Sequence, residues 1–284
     1  MIITRFAPSP SGYLHLGHAY SALLAYHTSQ QQGGRFILRI EDIDIGRCRT
    51  EFDHAIREDL AWLGIHWQEP VRRQSEHLDD YAAGLERLTA MGLLYPCFCT
   101  RKEIIREAAR ANQAPHGPEG VLYPGTCRTR TDAERKQRID ASEPHALRLN
   151  MKQAVDLVAE SLTWTDAEQG TIIADPLSFG DVILARKEAP TSYHLSVSLD
   201  DHLQGITHVI RGVDLFGSTH VHRLLQALLN LSTPTYHHHK LLNDEEGKRY
   251  AKRHKALTLR ALRESGVTAE EIVQRVGLVD LMND

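Results

Sequence analysis

Near the start, Arg5-Phe6-Ala7-Pro8-Ser9-Pro10-Ser11-Gly12 leads into Leu14-His15-Leu16-Gly17-His18. The two prolines fix their own φ and remove two N–H donors, so this loop is not helical and a helix begins near His15. A helix start offers unpaired backbone N–H groups and the positive end of the helix dipole, both suited to phosphate. His15 and His18 are three apart, on one face of the first turn, where both rings can donate to phosphate oxygens. Gly17 between them has no Cβ, so a ribose or base can approach the backbone. Taken alone, the pattern describes a helix start with two solvated histidines equally well.

A second stretch answers a different need. Gly247-Lys248-Arg249-Tyr250-Ala251-Lys252-Arg253 is a glycine-led loop with four cationic side chains and no carboxylate. Such a loop can close over polyphosphate and stabilise charge developing on a leaving pyrophosphate. In isolation it is more often a surface patch.

The cysteines suggest a metal. Cys97, Cys99 and Cys127 give three soft ligands, which favour zinc, against the plainer reading of three buried thiols. His116 is the chemically ordinary fourth ligand. Cys48 stands apart. His237-His238-His239 lie in a strand-like run, where consecutive side chains alternate faces, so they are not read as a metal site.

These residues need a frame. Met1–Ala7 reads as a strand, a helix follows from His15 to the Gly33-Gly34 pair, and Arg35–Ile40 reads as a second strand. Thr50-Glu51-Phe52-Asp53 suggests a capping box opening a helix with Phe52, Ile56, Leu60 and Leu63 inward and Gly64 as its stop. Ser75–Met91 reads as another helix, ended by Gly92. Strand-helix alternation predicts an α/β fold with a parallel sheet and crossover connections. Residues 96–145 lose the periodicity and read as an inserted subdomain. The expected division is 1–95, first half of a nucleotide-binding domain; 96–145, an inserted zinc-binding subdomain; 146–235, the second half; and 236–284, a lysine loop with short helical segments split at Gly266.

The bulk numbers fit this picture. The chain has 284 residues, 42% hydrophobic and 25% charged, with a formal net charge of −4. It contains no apolar run long enough to span a bilayer, no signal peptide and too few cysteines for a disulfide scaffold, so a cytoplasmic monomer is expected. The acidic balance argues against a general nucleic-acid binder. Locally, however, nine Lys/Arg face five Asp/Glu from Arg101 to Arg138, and eight face three from Lys240 to Arg263. Two basic segments could grip a polyanion.

Together the histidine motif and the basic loop resemble the paired signatures of class I aminoacyl-tRNA synthetases. The glutamyl branch is matched nearly residue for residue from Arg5 to His18. Arg39-Ile40-Glu41-Asp42-Ile43-Asp44, Tyr193-His194-Leu195 with Asp200-Asp201, and Ile210-Arg211-Gly212-Val213-Asp214-Leu215 continue the likeness. It runs in order through roughly residues 1–255. The resemblance implies a Rossmann-type catalytic domain acting on ATP, with its Mg2+, and L-glutamate. It assigns Arg5 and Arg211 to the two substrate carboxylates, Glu41 to the ammonium, and Tyr193, Ala7 and Ser9 to the rest of the glutamate pocket. His15, Gly17, His18 and Lys252 would bind ATP, with His15, His18 and Lys252 catalytic. A similar subfamily pairs Cys-x-Cys with Tyr-x-x-x-Cys, which Tyr123-Pro124-Gly125-Thr126-Cys127 matches, making Tyr123 the implied fourth ligand of one structural zinc.

Two departures stand out. Ala251 replaces the serine usual in the lysine loop, which puts rate in question. Ser196-Val197 replaces Ala-Asn, and Val197 cannot hydrogen-bond the substrate. Only 31 residues follow Arg253, so no anticodon-binding domain is expected, and a globule with a radius of gyration of roughly 19 Å cannot reach both ends of a tRNA. This resembles a shortened branch that activates glutamate without tRNA and transfers it to queuosine in the anticodon loop of tRNA(Asp). The alternatives are a compact enzyme charging a tRNA 3′ end, and a catalytically idle tRNA-binding paralogue.

Overall fold

β1 (Ile3–Phe6) is buried at every residue, as befits a strand covered on both faces. The computed structural model describes residues 1–110, 116–117, 120–242 and 258–279. α1 (Leu16–Gln30) crosses back over β1 and turns at Gly33 (φ +58°) into β2 (Arg35–Ile40). β1 and β2 run parallel, Ile3 opposite Arg35 and Phe6 opposite Leu38. Gly34 sits where the chain re-enters the sheet, and a Cβ there would lie 2.2 Å from the carbonyl oxygen of Ile2. α2 (Thr50–Trp62) ends at Gly64 (φ +74°), then come β3 (Arg72–Arg73), α3 (Leu78–Ala90) and β4 (Leu94–Cys97).

The segment expected as an insert contains α4 (Arg101–Arg110), a small pair β5 (His116–Gly117) and β6 (Gly120–Val121), and α5 (Asp132–Asp140). β7 (Ala146–Leu149) follows and pairs antiparallel with β4, Cys97 opposite Ala146. The intervening residues therefore leave and return at one place. Next are α6 (Met151–Val158), the antiparallel pair β8 (Thr163–Asp166) and β9 (Gly170–Ile173), β10 (Ile183–Ala185) and α7 (Tyr193–Leu203). β11 (His208–Gly212), α8 (Ser218–Leu228) and β12 (Thr235–His239) complete the second half, and α9 (Leu259–Glu264) and α10 (Ala269–Arg275) close the described chain.

β1-β2-β3 form one parallel set and β11-β12-β8 another, with β9 antiparallel at its edge. The two sets meet where Thr207 N donates to Ile3 O at 3.0 Å. β10-β7-β4 is a separate antiparallel sheet, so the expected parallel architecture is correct for the core and wrong for this arm. Among the described residues, no helix is long and apolar enough to cross a membrane.

Two local expectations change. The capping box at Thr50 does not form: Arg49 is the N-cap residue without a side-chain cap, and Asp53 instead receives Arg57 and Arg73. Phe52 is only half-buried, edge-on to Tyr13. The helix expected from Ser75 starts at Leu78, after a tight turn at Gln74–Glu76. Under the first sheet, α1, α2, α9 and α10 share one apolar core that includes Leu23, Ile56, Leu259 and Ile272. A second core gathers α3, α7 and α8 through Tyr81, Leu195 and Leu224.

Because backbone rather than a flexible side chain fills the space beside Gly34, Gly34→Ala should cost about 1–3 kcal/mol. A lower urea midpoint at unchanged slope is the expected result, and an unshifted midpoint would show that the β1–β2 entry has slack.

Candidate active site

Ligands in open α/β sheets sit beyond the carboxyl ends of the strands, and a cavity of about 480 Å³ lies there. Arg5 and Ala7 reach it from the end of β1, Glu41 from the end of β2, Tyr193 from the start of α7 and Arg211 from β11. His15, Gly17 and His18 line the same space from the start of α1. Ser9 is not on its wall; its hydroxyl faces Cys48 Sγ at 3.8 Å. Val197 is buried in α7 and also off the wall. Lys252 and the basic loop lie outside the described residues. Their flanks are placed, however: Leu241 and Leu242 line the cavity, and Thr258 bridges to His15.

The start of α1 shows why two histidines stand three apart. His15 is the N-cap residue, and its Nδ1 accepts from Gly17 N at 3.1 Å. His18 Nδ1 accepts from His15 N at 3.2 Å, closing a reciprocal capping box built from imidazoles. With Nδ1 accepting, each neutral ring carries its proton on Nε2. No acidic residue occupies the first turn, so the dipole end keeps its positive character.

Opposite, a buried ion network holds the polar wall. Arg5 Nε donates to Asp201 Oδ1 at 3.1 Å, and Arg39 Nη1 donates to the same oxygen at 2.8 Å. Arg39 Nη2 donates to Glu41 Oε1 at 3.0 Å, so Arg39 ties the Glu41 carboxylate to the group that holds Arg5. Burial pushes the Glu41 carboxyl up, and Arg39 and Arg5 offset this only in part. For Asp201 the balance reverses: burial raises it, but Arg5 and Arg39 hold it below the ordinary carboxylate range. Arg39 is fully buried yet stays charged because Asp201, Glu41 and Asp200 surround it. Sequence reasoning named Arg39, Asp200 and Asp201 only as members of motifs and gave none of them a role. The signal for Arg39 was a second cation in the mostly apolar stretch Arg35-Phe36-Ile37-Leu38-Arg39-Ile40, costly to bury without a partner.

Arg211 is held otherwise. It donates to Tyr193 Oη at 3.1 Å, to His238 Nε2 at 3.1 Å and to Thr219 Oγ1 at 2.7 Å. His238 Nδ1 in turn faces Asp166 Oδ2 at 2.8 Å. Burial and the Arg211 charge push His238 down to about 4. Burial would raise Asp166, but His238 and the N–H groups of Glu168 and Gln169 keep it low. The three consecutive histidines point apart: His237 to Glu168, His238 to Asp166 and His239 to Ser21.

A second cluster lies at the root of the insert. The sulfurs of Cys97, Cys99 and Cys127 fall within 4.8 Å of one another, with Cys99 and Cys127 3.5 Å apart. Thiolates on one tetrahedral zinc sit about 3.8 Å apart, so the donors suit that ion. The Tyr123 hydroxyl is 3.6 Å from Cys99 Sγ and accepts from Cys127 N at 2.8 Å. The side chain of His116 lies outside the described residues.

The parallel α/β core thus presents an imidazole-capped helix and a two-arginine pocket at its strand ends. The family model for class I tRNA synthetases (E and Q), catalytic domain, matches residues 1–282. The chain belongs to that family and is an aminoacyl-tRNA synthetase-like ligase. It is 48% identical to the glutamyl-Q tRNA(Asp) synthetase of Rhodobacter capsulatus, over 98% of this chain and 100% of that one. Identity to the glutamate–tRNA ligase of Aquifex aeolicus is 38%, over 95% of this chain and 55% of that one. The crystal structure of a glutamate tRNA ligase from Elizabethkingia meningosepticum in complex with its amino acid superposes with a TM-score of 0.74 at 29% identity. That match covers 89% of this chain and 52% of the ligase, so the chain spans about half the length of that solved structure.

The His238 geometry has a consequence for stability. Between about 4 and 6.5 the unfolded chain binds a proton on this ring that the folded chain refuses, so stability should fall as pH drops through that window. His222, also pushed well down by burial, acts in the same direction. Urea midpoints measured from about pH 7.5 to about pH 4.5 should decline, and less steeply in His238→Gln. An equal decline in both would show that His238 titrates normally.

Proposed function

We propose that this enzyme activates glutamate with ATP, without tRNA, and transfers the glutamyl group to queuosine in the anticodon loop of tRNA(Asp). The observation that carries the first half is the convergence of Arg5, Arg211, Glu41 and Tyr193 on one cavity beside the His15–His18 helix start. Glutamate brings two carboxylates and an ammonium; two guanidiniums and a carboxylate answer them. Arg5 and Arg211 take the carboxylates, Glu41 the ammonium, Tyr193 adds a hydroxyl, and Ala7 supplies backbone. ATP lies over Gly17, with its Mg2+ accompanying it as substrate.

In the first step a carboxylate oxygen of glutamate attacks the α-phosphorus, and the bond to pyrophosphate breaks with its electron pair leaving on pyrophosphate. The Nε2–H groups of His15 and His18 face the phosphates as donors. Lys252 comes from a loop whose two flanks, at Leu242 and Thr258, border this space, and neutralises the leaving charge. In the second step an acceptor hydroxyl attacks the glutamyl carbonyl, AMP departs, and the hydroxyl proton leaves with it. Positioning and charge neutralisation suffice, and no covalent enzyme intermediate is needed.

Queuosine as acceptor rests on the relatives. The match to the Rhodobacter capsulatus protein runs along that protein's whole length and exceeds the identity to the Aquifex aeolicus ligase by ten percentage points. Arg101, Lys102 and Arg106, exposed on α4, would meet anticodon stem-loop phosphates. Cys97, Cys99, Cys127 and Tyr123 hold one structural zinc that fixes the root of the insert.

Radiolabelled glutamate and ATP should label bulk tRNA from cells that make queuosine and leave tRNA from queuosine-deficient cells unlabelled. Equal labelling of both would make this a ligase acting at the tRNA 3′ end, and no labelling together with no adenylate would make it an idle paralogue. Elemental analysis should find about one zinc per chain, lost when Cys97→Ser and Cys99→Ser are combined. Metal-free, fully folded wild-type protein would refute the zinc assignment.

A further inference from the structure

Arg5 and Arg211 reach one cavity with opposite kinds of support. Arg5 donates to the Asp201 carboxylate, so its charge is compensated where it stands. Arg211, equally buried, gives all five N–H donors to neutral acceptors. Nε goes to His238 Nε2; Nη1 goes to Tyr193 Oη and, at 3.4 Å, to His222 Nδ1; Nη2 goes to Leu215 O and Thr219 Oγ1. None of these partners is a carboxylate. Asp166 stands behind the imidazole of His238, bound to its far nitrogen, so the ring separates the two charges.

The hydrogen bonds fix both tautomers. His238 accepts at Nε2, so its proton is on Nδ1, where Asp166 receives it. His222 accepts at Nδ1, so its proton is on Nε2, directed at His194 Nδ1 3.2 Å away. A proton on the Arg211 side of either ring would set N–H against guanidinium. Arg211 is 5% exposed, so its cation without a counter-charge is held at a cost that a ligand can relieve.

We propose that Asp166, His238 and His222 are specificity-determining positioning residues that fix the pose of Arg211 while leaving its charge uncompensated. A ligand carboxylate exchanges with one of the neutral acceptors and completes an ion pair; the corresponding amide brings no charge and gains nothing over the acceptor it displaces. The cage thereby selects an acidic side chain over its amide. This inference rests on the cavity being the glutamate site.

The test uses ATP–pyrophosphate exchange with glutamate or glutamine on the whole enzyme. Asp166→Asn is nearly isosteric but no longer holds the proton on Nδ1. Its glutamate KM should rise about tenfold, the worth of one charge-assisted hydrogen bond, with ATP KM unchanged and the preference over glutamine narrowed. His238→Gln, whose amide oxygen can still accept from Arg211, should keep more of that preference than His238→Leu. An unchanged glutamate KM in Asp166→Asn, or an equal rise for ATP, would overturn the proposal. Nitrogen-15 histidine spectra decide the cage without turnover: the signal missing from His238→Gln should report an Nδ1-protonated neutral ring, and Nε2 protonation or an imidazolium would overturn it. Wild-type enzyme that exchanges label with neither amino acid would overturn the functional reading instead, leaving the spectra to decide the cage.

Discussion

Everything on the polar wall depends on where Arg39 is buried. Arg39 is wholly buried inside the sheet, where an unpaired charge is costly, and the chain supplies carboxylates from two directions. Glu41 lies two residues ahead, just past the end of β2, and Asp200 and Asp201 arrive from α7. In satisfying Arg39, these carboxylates become the fixed points of the pocket: Asp201 takes Arg5 as well, and Glu41 is turned toward the cavity. The strand, the helix and the site are thus locked by a single cation that touches no ligand. Asp200 extends the lock outward, accepting from Arg72, Gln74 and Tyr81, which ties α3 and β3 to the same network.

The start of α1 solves a different problem with similar economy. An aspartate cap would place negative charge at the positive end of the helix dipole, beside the cavity. Imidazole caps avoid this. Each ring satisfies a backbone N–H through Nδ1, which leaves its proton on Nε2. The helix end is closed without an acidic group, and in the proposed reaction the Nε2–H groups would meet the phosphates.

Much of this was legible in the sequence because the signals were local. Pro8, Pro10, Gly33, Gly64 and Gly92 mark real turns, and the apolar spacing after His15 marks a real helix. The residues Arg5, Glu41, Tyr193 and Arg211 do converge, though only a family pattern could connect positions so far apart. What failed depended on competition across distance. Thr50 and Asp53 spell a cap, but Arg73 captures Asp53 from another strand, so the local motif loses. Ser9 stands apart from the converging residues, its hydroxyl against Cys48 Sγ at 3.8 Å. The role of Arg39 and the His238–Asp166 pair were not read because a buried polar residue declares its role only when its partner, 162 or 72 residues away, is in place. The antiparallel β4-β7-β10 sheet was hidden for the same reason.

The core beneath α1 is finished by α9 and α10, and Arg260 reaches back to Tyr13 across 247 residues. During synthesis, α2 can cover part of the first helix's apolar face early, but the part that α9 and α10 cover waits until they have been made. Local β1-α1-β2 pairing can form early, while the rest of this core depends on contacts of high sequence separation. The last part of this core thus closes over a long stretch of intervening chain, and it is the part whose formation is slowest.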